Sequence, residues 1–375
     1  MSKKRRHIGK VEHGLKGLCT LPACLFGRKF FTIHYSLLPF IILLLTGCHY
    51  KDLDYEGVQW VEVNVVFDWT GPNGTKGPSY PAPADKPGVG MTVLFYNLNS
   101  PAAEPIRYDL TGRQGGTVRL YPGKWRALAY NYDTETILYR GMADIATLEA
   151  YTRISSIEEG TQLSRSGMPR ADRAASEDVI LEPDPLWGAA GDVFTLTDDD
   201  ITTPSDVNPK RTTITLYPTT RVYEVTVTIL NVPNLQYSNQ FGAALSGLAP
   251  SVWMETAVPG EGSVTQAFSG GPIDETTLQM SFRTFGHCTH ADGGDINPHI
   301  LTVYVILSDG SKWFYTVDVT DQLHPTDGDP SGDDDDDHTI TISVDGLPIP
   351  KPIVNGSGFH PSVDGWQGVE IEVGM

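Results

Sequence analysis

The sequence predicts an all-β protein with two tandem antiparallel β-sandwich domains, and three observations carry that expectation. Val61, Val63, Val65, Phe67 and Trp69 alternate with Glu62, Asn64, Val66 and Asp68, the period of two that a half-buried strand requires. The alternation returns at Tyr223, Val225, Val227 and Ile229. Residues 301–307 and 312–319 flank Ser308-Asp309-Gly310-Ser311, and Asp-Gly between two such runs is a strong hairpin signal. Helical periodicity is scarce, so packed sheets have to supply the core.

The chain opens on residues that do not read as a fold. The basic pair Arg28-Lys29 precedes an apolar run at 37–45, broken only by Pro39, and the small pair Thr46-Gly47 stands before Cys48. Charge, then an apolar stretch, then small residues is the order of a secretory signal. Leu45-Thr46-Gly47-Cys48 matches the bacterial lipobox, in which the cysteine is lipidated and becomes the first mature residue. A membrane helix needs about 20 apolar residues, more than this run offers, and His34 interrupts its upstream extension. Residues 1–47 are therefore assigned to a lipoprotein signal peptide, with an overcalled start codon for the first 27, and lipidation is expected at Cys48.

Removing the signal leaves 19 Lys+Arg against 45 Asp+Glu. So acidic a surface repels phosphate backbones and anionic headgroups, which argues against a nucleic-acid partner. Membrane attachment then falls to acyl chains, of which more than one is needed for stable anchoring. Of four cysteines only Cys288 remains in the mature body, so no intramolecular disulfide is expected there.

Taken in order, 48–59 is a short charged tether and 60–196 the N-terminal sandwich. After the strand at 61–69 comes a Gly/Pro-rich loop to Gly90, a strand at 91–97, and short strands at 107–110 and 117–120 around Gly112 to Gly116. Tyr121-Pro122-Gly123 reads as a turn, and Trp125, Ala127 and Ala129 beyond it share one face. Residues 142–158 fit either a helical face (Ile145, Leu148, Tyr151, Ile154) or a strand at Tyr151-Thr152-Arg153-Ile154. Residues 160–176 read as a polar surface loop, and apolar character returns at 178–181 and 186–188. The acidic, Pro-containing stretch 197–210 is expected to link the domains, and 211–375 forms the C-terminal sandwich, with strands at 212–216, 223–229, 301–307, 312–319, 339–344 and 369–373.

The lipobox, Val66-Phe67-Asp68-Trp69, the string from Pro122 to Asn131, the string from Leu301 to Gly310 and the tail from Asn355 to Asp364 together resemble the fimbrillin and fimbrial-anchor lipoproteins of Bacteroidales. The resemblance extends over essentially the whole mature chain, in particular to an uncharacterised lipoprotein family of that group. It implies transthyretin-like sandwiches, a place in fimbria or adhesin assembly, and no catalytic residues. In those fimbriae, stalk subunits lose their first strand by a cut after an arginine, and a strand of the next subunit fills the groove. Here 48–106 contains no arginine, and Arg107 lies well beyond the first strand. An uncleaved anchor, terminator or accessory subunit is expected, able to pair strands at its C-terminal end.

Candidate sites are few. His287, Cys288 and His290, with His299 nearby, offer nitrogen and sulfur ligands in one loop, and zinc wants four such ligands. The missing Cys-x-x-Cys pair favours a polar loop beside a buried thiol. Asp327, Asp329 and the run 333–337, with Asp333 and Asp335 at alternate positions, could offer oxygens to calcium. Their spacing departs from the EF-hand loop, and a run of like charge is ordinarily a solvated tip; Asp198-Asp199-Asp200 is weaker still. Seven tryptophans (60, 69, 125, 187, 253, 313 and 366) could stack sugars, although most sit in alternating strands where core packing explains them. There is no Gly-x-Ser-x-Gly, phosphate loop or His-Glu-x-x-His. The expectation is a non-enzymatic structural protein without cofactor, lipid-anchored at the outer membrane, exposed at the cell surface and paired through strand edges with fimbrial subunits. A glycan-binding surface lipoprotein is the alternative.

Overall fold

The first strand, β1 (Val61–Phe67), buries every second side chain: Val61, Val63, Val65 and Phe67 are at most 2% exposed. The computed structural model describes residues 59–70, 90–161, 163, 168–171, 174, 176–201, 211–288, 298–324, 338–352 and 365–371. The signal, the lipobox with Cys48, most of the tether, His290 and the aspartates at 327–337 lie outside them.

After β1 come β2 (Met91–Asn97), β3 (Ile106–Leu110), β4 (Gly115–Leu120), β5 (Gly123–Asn131), β6 (Ile137–Arg140) and β7 (Glu149–Thr152). Next are β8 (Asp178–Ile180), β9 (Trp187–Ala190), β10 (Phe194–Leu196), β11 (Thr212–Leu216) and β12 (Thr219–Thr220). The remainder are β13 (Tyr223–Leu230), β14 (Ser238–Leu248), β15 (Ser251–Trp253), β16 (Val264–Phe268), β17 (Gly270–Pro272) and β18 (Leu278–Thr284), then β19 (Ile300–Leu307), β20 (Lys312–Asp318), β21 (Thr339–Asp345) and β22 (Trp366–Ile371). Helix among the described residues is limited to short turns, so the fold is all-β as expected.

The strands form two facing pairs of sheets. In the first, β11-β1-β4 lies over a sheet ordered β12-β9-β5-β2-β3, with β10 also on β5. Between them Val61, Val63, Val65 and Phe67 meet Met91, Val93 and Phe95 of β2 and Trp125, Ala127 and Ala129 of β5. In the second, β17-β18-β13-β21 lies over β22-β20-β19-β14-β16-β8. Its core joins Val225, Val227, Ile229, Met280 and Phe282 to Leu245, Leu301, Val303, Val305 and Tyr315. Each fully buried side chain of this size contributes roughly 1.5–3 kcal/mol, and these layers are where folding stability comes from.

A third core joins the two halves. Leu94, Tyr96, Leu128 and Tyr130, on the opposite face of β2 and β5, pack with Leu148, Ala150, Val252, Met254 and Phe285. The sheet β15-β7-β6 supplies part of this layer. Burial on both faces explains why β2 shows no inside–outside alternation. Gln59–Met375 accordingly forms one compact unit.

Two expectations need correction in detail. Strand β11, expected to open the second sandwich, runs parallel to β1 in the first, with Val63 opposite Thr212 and Phe67 opposite Leu216. Strand β12 likewise joins β9. In the other direction, β8 extends the second sandwich by pairing parallel to β16. Short strands add wherever a ladder is open, and linear order does not restrict them to neighbours. Within the ambiguous stretch 142–158, residues Glu149–Thr152 are strand, preceded by the 3-10 turn Ile145–Thr147 and followed by the helical turn Ile157–Gly160.

Candidate functional site

Strand β18 alternates buried Leu278, Met280, Phe282 and Thr284 and then ends at Phe285-Gly286, where Gly286 has a φ of +105°. A side chain there would crowd Pro259 and Tyr223. The turn brings His287 opposite Leu248 at the end of β14, and the Cys288 N–H donates to the Gly247 carbonyl at 3.0 Å. Between Leu245 and Leu248 the register of β14 against β16 shifts. Gly247 sits in that bulge at φ +80°, a conformation that glycine adopts without strain.

His299 precedes β19 and is fully buried. Its ring Nδ1 lies 3.2 Å from the Ser246 carbonyl of the bulge, and its N–H donates to the Thr320 hydroxyl at 2.8 Å. Thr320 opens the helical turn Thr320–Leu323, and the Thr320 hydroxyl in turn donates to Asp318 at 2.5 Å. His324 closes that turn, its N–H donating to the Thr320 carbonyl. His299 Nε2 and His324 Nε2 are 2.9 Å apart. The His287 ring is edge-on to His324 with centroids 4.6 Å apart, and its Nδ1 lies 3.3 Å from the Cys288 carbonyl. One ring nitrogen from each of His287, His299 and His324 falls within 4.8 Å of the other two.

Of the weak metal-ligand candidates weighed from the sequence, where a polar loop is the favoured reading, the fold brings His287 and His299 together and adds His324. The Cys288 thiol is buried and is not among the converging atoms. His290, Asp333 and Asp335 are outside the described residues. Asp200 has a local role: its carboxylate accepts from the Thr197 N–H and hydroxyl at 2.9 and 2.7 Å. His324 had one legible signal, the hairpin itself. A tight turn at 308–311 pairs Ile300 with Asp318, so whatever follows β20 returns to whatever precedes β19.

The sheet edges are the other candidate surface. Four are blunt: β8, β15 and β17 have three residues each, β12 has two, and β17 ends on Pro272; β21, seven residues parallel to β13, is a longer edge. Strand β22 has six residues, added parallel to β20 at the end of the six-stranded sheet, with Gly368 and Glu370 exposed. Strand β1, by contrast, is internal, held by β4 on one side and β11 on the other. Of the seven tryptophans Trp125 is buried and the others are half-buried, Trp60 stacked on the exposed Tyr121 with ring centroids 4.1 Å apart.

A family model described as a domain of unknown function, DUF5119, matches residues 47–269. The chain belongs to that family. Over 355 residues it is 24% identical to a Bacteroides ovatus protein provisionally named fimbrium anchoring subunit Fim4B, a match covering 87% of this chain and 92% of the relative. The crystal structure of a Bacteroides ovatus protein provisionally described as an adhesin shares the fold, with a TM-score of 0.50 at 20% identity, over 81% of this chain and 99% of that one. The fimbrial anchor protein Mfa2 from Porphyromonas gingivalis is more distant, with a TM-score of 0.39 at 14% identity over 68% of this chain and 79% of its own. The resemblance drawn from the lipobox and strand motifs and the Bacteroides relative named as a fimbrium anchoring subunit point to the same group. Among the described residues no helix is long and apolar enough to cross a membrane.

Proposed function

We propose that this protein is an uncleaved anchoring or accessory subunit of a fimbria, held in the outer membrane by lipid on Cys48 and joined to a partner subunit by strand pairing. The observation that carries this reading is the place of β1. It is an internal strand with neighbours on both sides, and it delivers four side chains to the first core. Cutting it away would open that core and separate the protein from its lipid. The arginine-free interval 48–106 supports retention of the strand, and the near full-length similarity to a relative named as a fimbrium anchoring subunit supports the class. A scaffolding role needs no catalytic group.

The edge at β22 is the surface this reading assigns to the partner. A parallel strand at the end of a sheet presents an outward row of backbone groups, and such a row takes a further strand by main-chain hydrogen bonding. Terminal analysis of the protein recovered from outer membranes tests the proposal. The expected mature start is acylated Cys48, and cells lacking the protein should release fimbriae into the medium. A mature terminus beyond Trp69 would rule the anchor reading out.

A further inference from the structure

We propose that His287, His299 and His324 form a three-imidazole site for a borderline divalent transition cation, with zinc(II) the best fit. The three come from the end of β18, the start of β19 and the turn after β20, and one nitrogen of each lies within 4.8 Å of the other two. Zinc–nitrogen bonds of about 2.0–2.1 Å at tetrahedral angles set ligand nitrogens roughly 3.4 Å apart. His299 and His324 are already closer than that, at 2.9 Å. His287 is half-buried, and a shift of its ring toward the other two is what a bound ion would require.

The tautomers suit a metal. Nδ1 of His299 faces the Ser246 carbonyl and Nδ1 of His287 faces the Cys288 carbonyl. A carbonyl only accepts, so each ring carries its proton on Nδ1 and keeps the lone pair on Nε2. A backbone carbonyl fixing the far nitrogen is the outer-shell arrangement that orients metal-bound histidines. With those tautomers Nε2 of His299 accepts, so the 2.9 Å contact takes its proton from Nε2 of His324; a cation would take the place of that proton as the His324 ring adopts its other tautomer. Gly247 belongs to the same design, because a Cβ there would lie 2.4 Å from Nδ1 of His299.

An all-nitrogen set selects zinc, cobalt(II), nickel or copper over calcium and magnesium, which prefer oxygen. Three protein ligands leave a fourth position for water. The bound ion would staple β14, β18, β19 and the turn after β20 at one end of the second sandwich. This proposal is independent of the fimbrial reading.

The test uses the untagged chain from Cys48 with Cys48→Ser for solubility, stripped of metal. Cobalt(II) titration should give the visible bands of a tetrahedral site, saturating at one equivalent. Zinc should raise Tm by about 2 °C or more, and magnesium or calcium should not. His287→Ala and His324→Ala, both at half-buried positions, should each weaken cobalt binding about tenfold or more while circular dichroism stays native. No tetrahedral spectrum, or binding unchanged in both variants, overturns the proposal. Should the variants fail to fold, X-ray absorption on the zinc-loaded parent decides: three imidazoles support the site, and an oxygen-only shell refutes it.

Discussion

Arg140 and Glu149 face each other across β6 and β7 in a two-pronged ion pair: Arg140 Nε donates to Glu149 Oε2 at 2.5 Å, and Nη2 donates to Oε1 at 2.8 Å. The Ser251 hydroxyl of β15 donates to the same carboxylate, so this one group ties together all three strands of the sheet that covers β2 and β5. Glu149 is nearly buried, with a side chain 8% exposed, whereas that of Arg140 is 57% exposed. Removing the charge without changing shape should therefore have a moderate effect. Glu149→Gln is expected to destabilise the fold by about 1–2 kcal/mol at neutral pH, measured by urea denaturation.

The same pair predicts a pH dependence. The Arg140 guanidinium, opposed in part by burial and helped by the Ser251 hydroxyl, holds the Glu149 carboxyl below its ordinary range. A depressed carboxyl contributes stability above its unfolded value, about 4.3, and that contribution is lost as pH falls through the folded value. The difference between the native protein and Glu149→Gln should be full at pH 7 and shrink below about pH 4. A gap that persists unchanged at pH 3 would place the effect in packing instead of charge.

Gly247 and Gly310 allow a matched comparison. Both have positive φ, +80° and +82°. A side chain at Gly310 would meet nothing within 4 Å, whereas one at Gly247 would overlap the His299 ring. Gly310→Ala should cost about 1 kcal/mol, from backbone conformation alone. Gly247→Ala should cost about 2–4 kcal/mol, because a fully buried ring must also move. Equal denaturation midpoints would mean that the bulge does not confine His299.

How much of this was legible in the sequence depended on which faces are covered. Strand β1 buries one face of every residue pair and was plain from its alternation. Strand β14 was not, because Phe241 to Leu248 is buried throughout: Phe241, Ala243, Leu245 and Leu248 face the second core, while Ala244 packs on the other side with Leu163 and Tyr304. A strand covered on both faces loses its period of two. Strand β18 keeps the alternation at Leu278, Met280 and Phe282, a period of two as legible as that of β1. The parallel pairings of β11 with β1 and β8 with β16 join segments distant in sequence, and no local pattern encodes them. Among the histidines, His287 and His299 stood out as near neighbours in sequence, and His324 depended on the register of the β19–β20 hairpin.

Cys48 is the attachment point expected from Leu45-Thr46-Gly47-Cys48. Cys48→Ala should yield an unprocessed or soluble protein that incorporates no labelled palmitate. Equal labelling of variant and parent would remove the lipid anchor from the proposal while leaving the fold untouched.

The two edges of the six-stranded sheet separate specific strand pairing from mere stickiness. At one end β8 offers only three residues, the short limit of strand length and a blunt edge. At the other, β22 offers six, anchored from behind by Val369 and Ile371 on the second core and by Trp366 on the layer of Tyr304. Glu370 and Asp178 are both exposed, one on each edge strand. A photoreactive residue placed at Glu370 in cells that assemble fimbriae should give an adduct with a second fimbrial subunit, and the same residue at Asp178 should give none. Retained assembly with no adduct at Glu370, or equal adducts at both positions, would exclude β22 as the pairing edge.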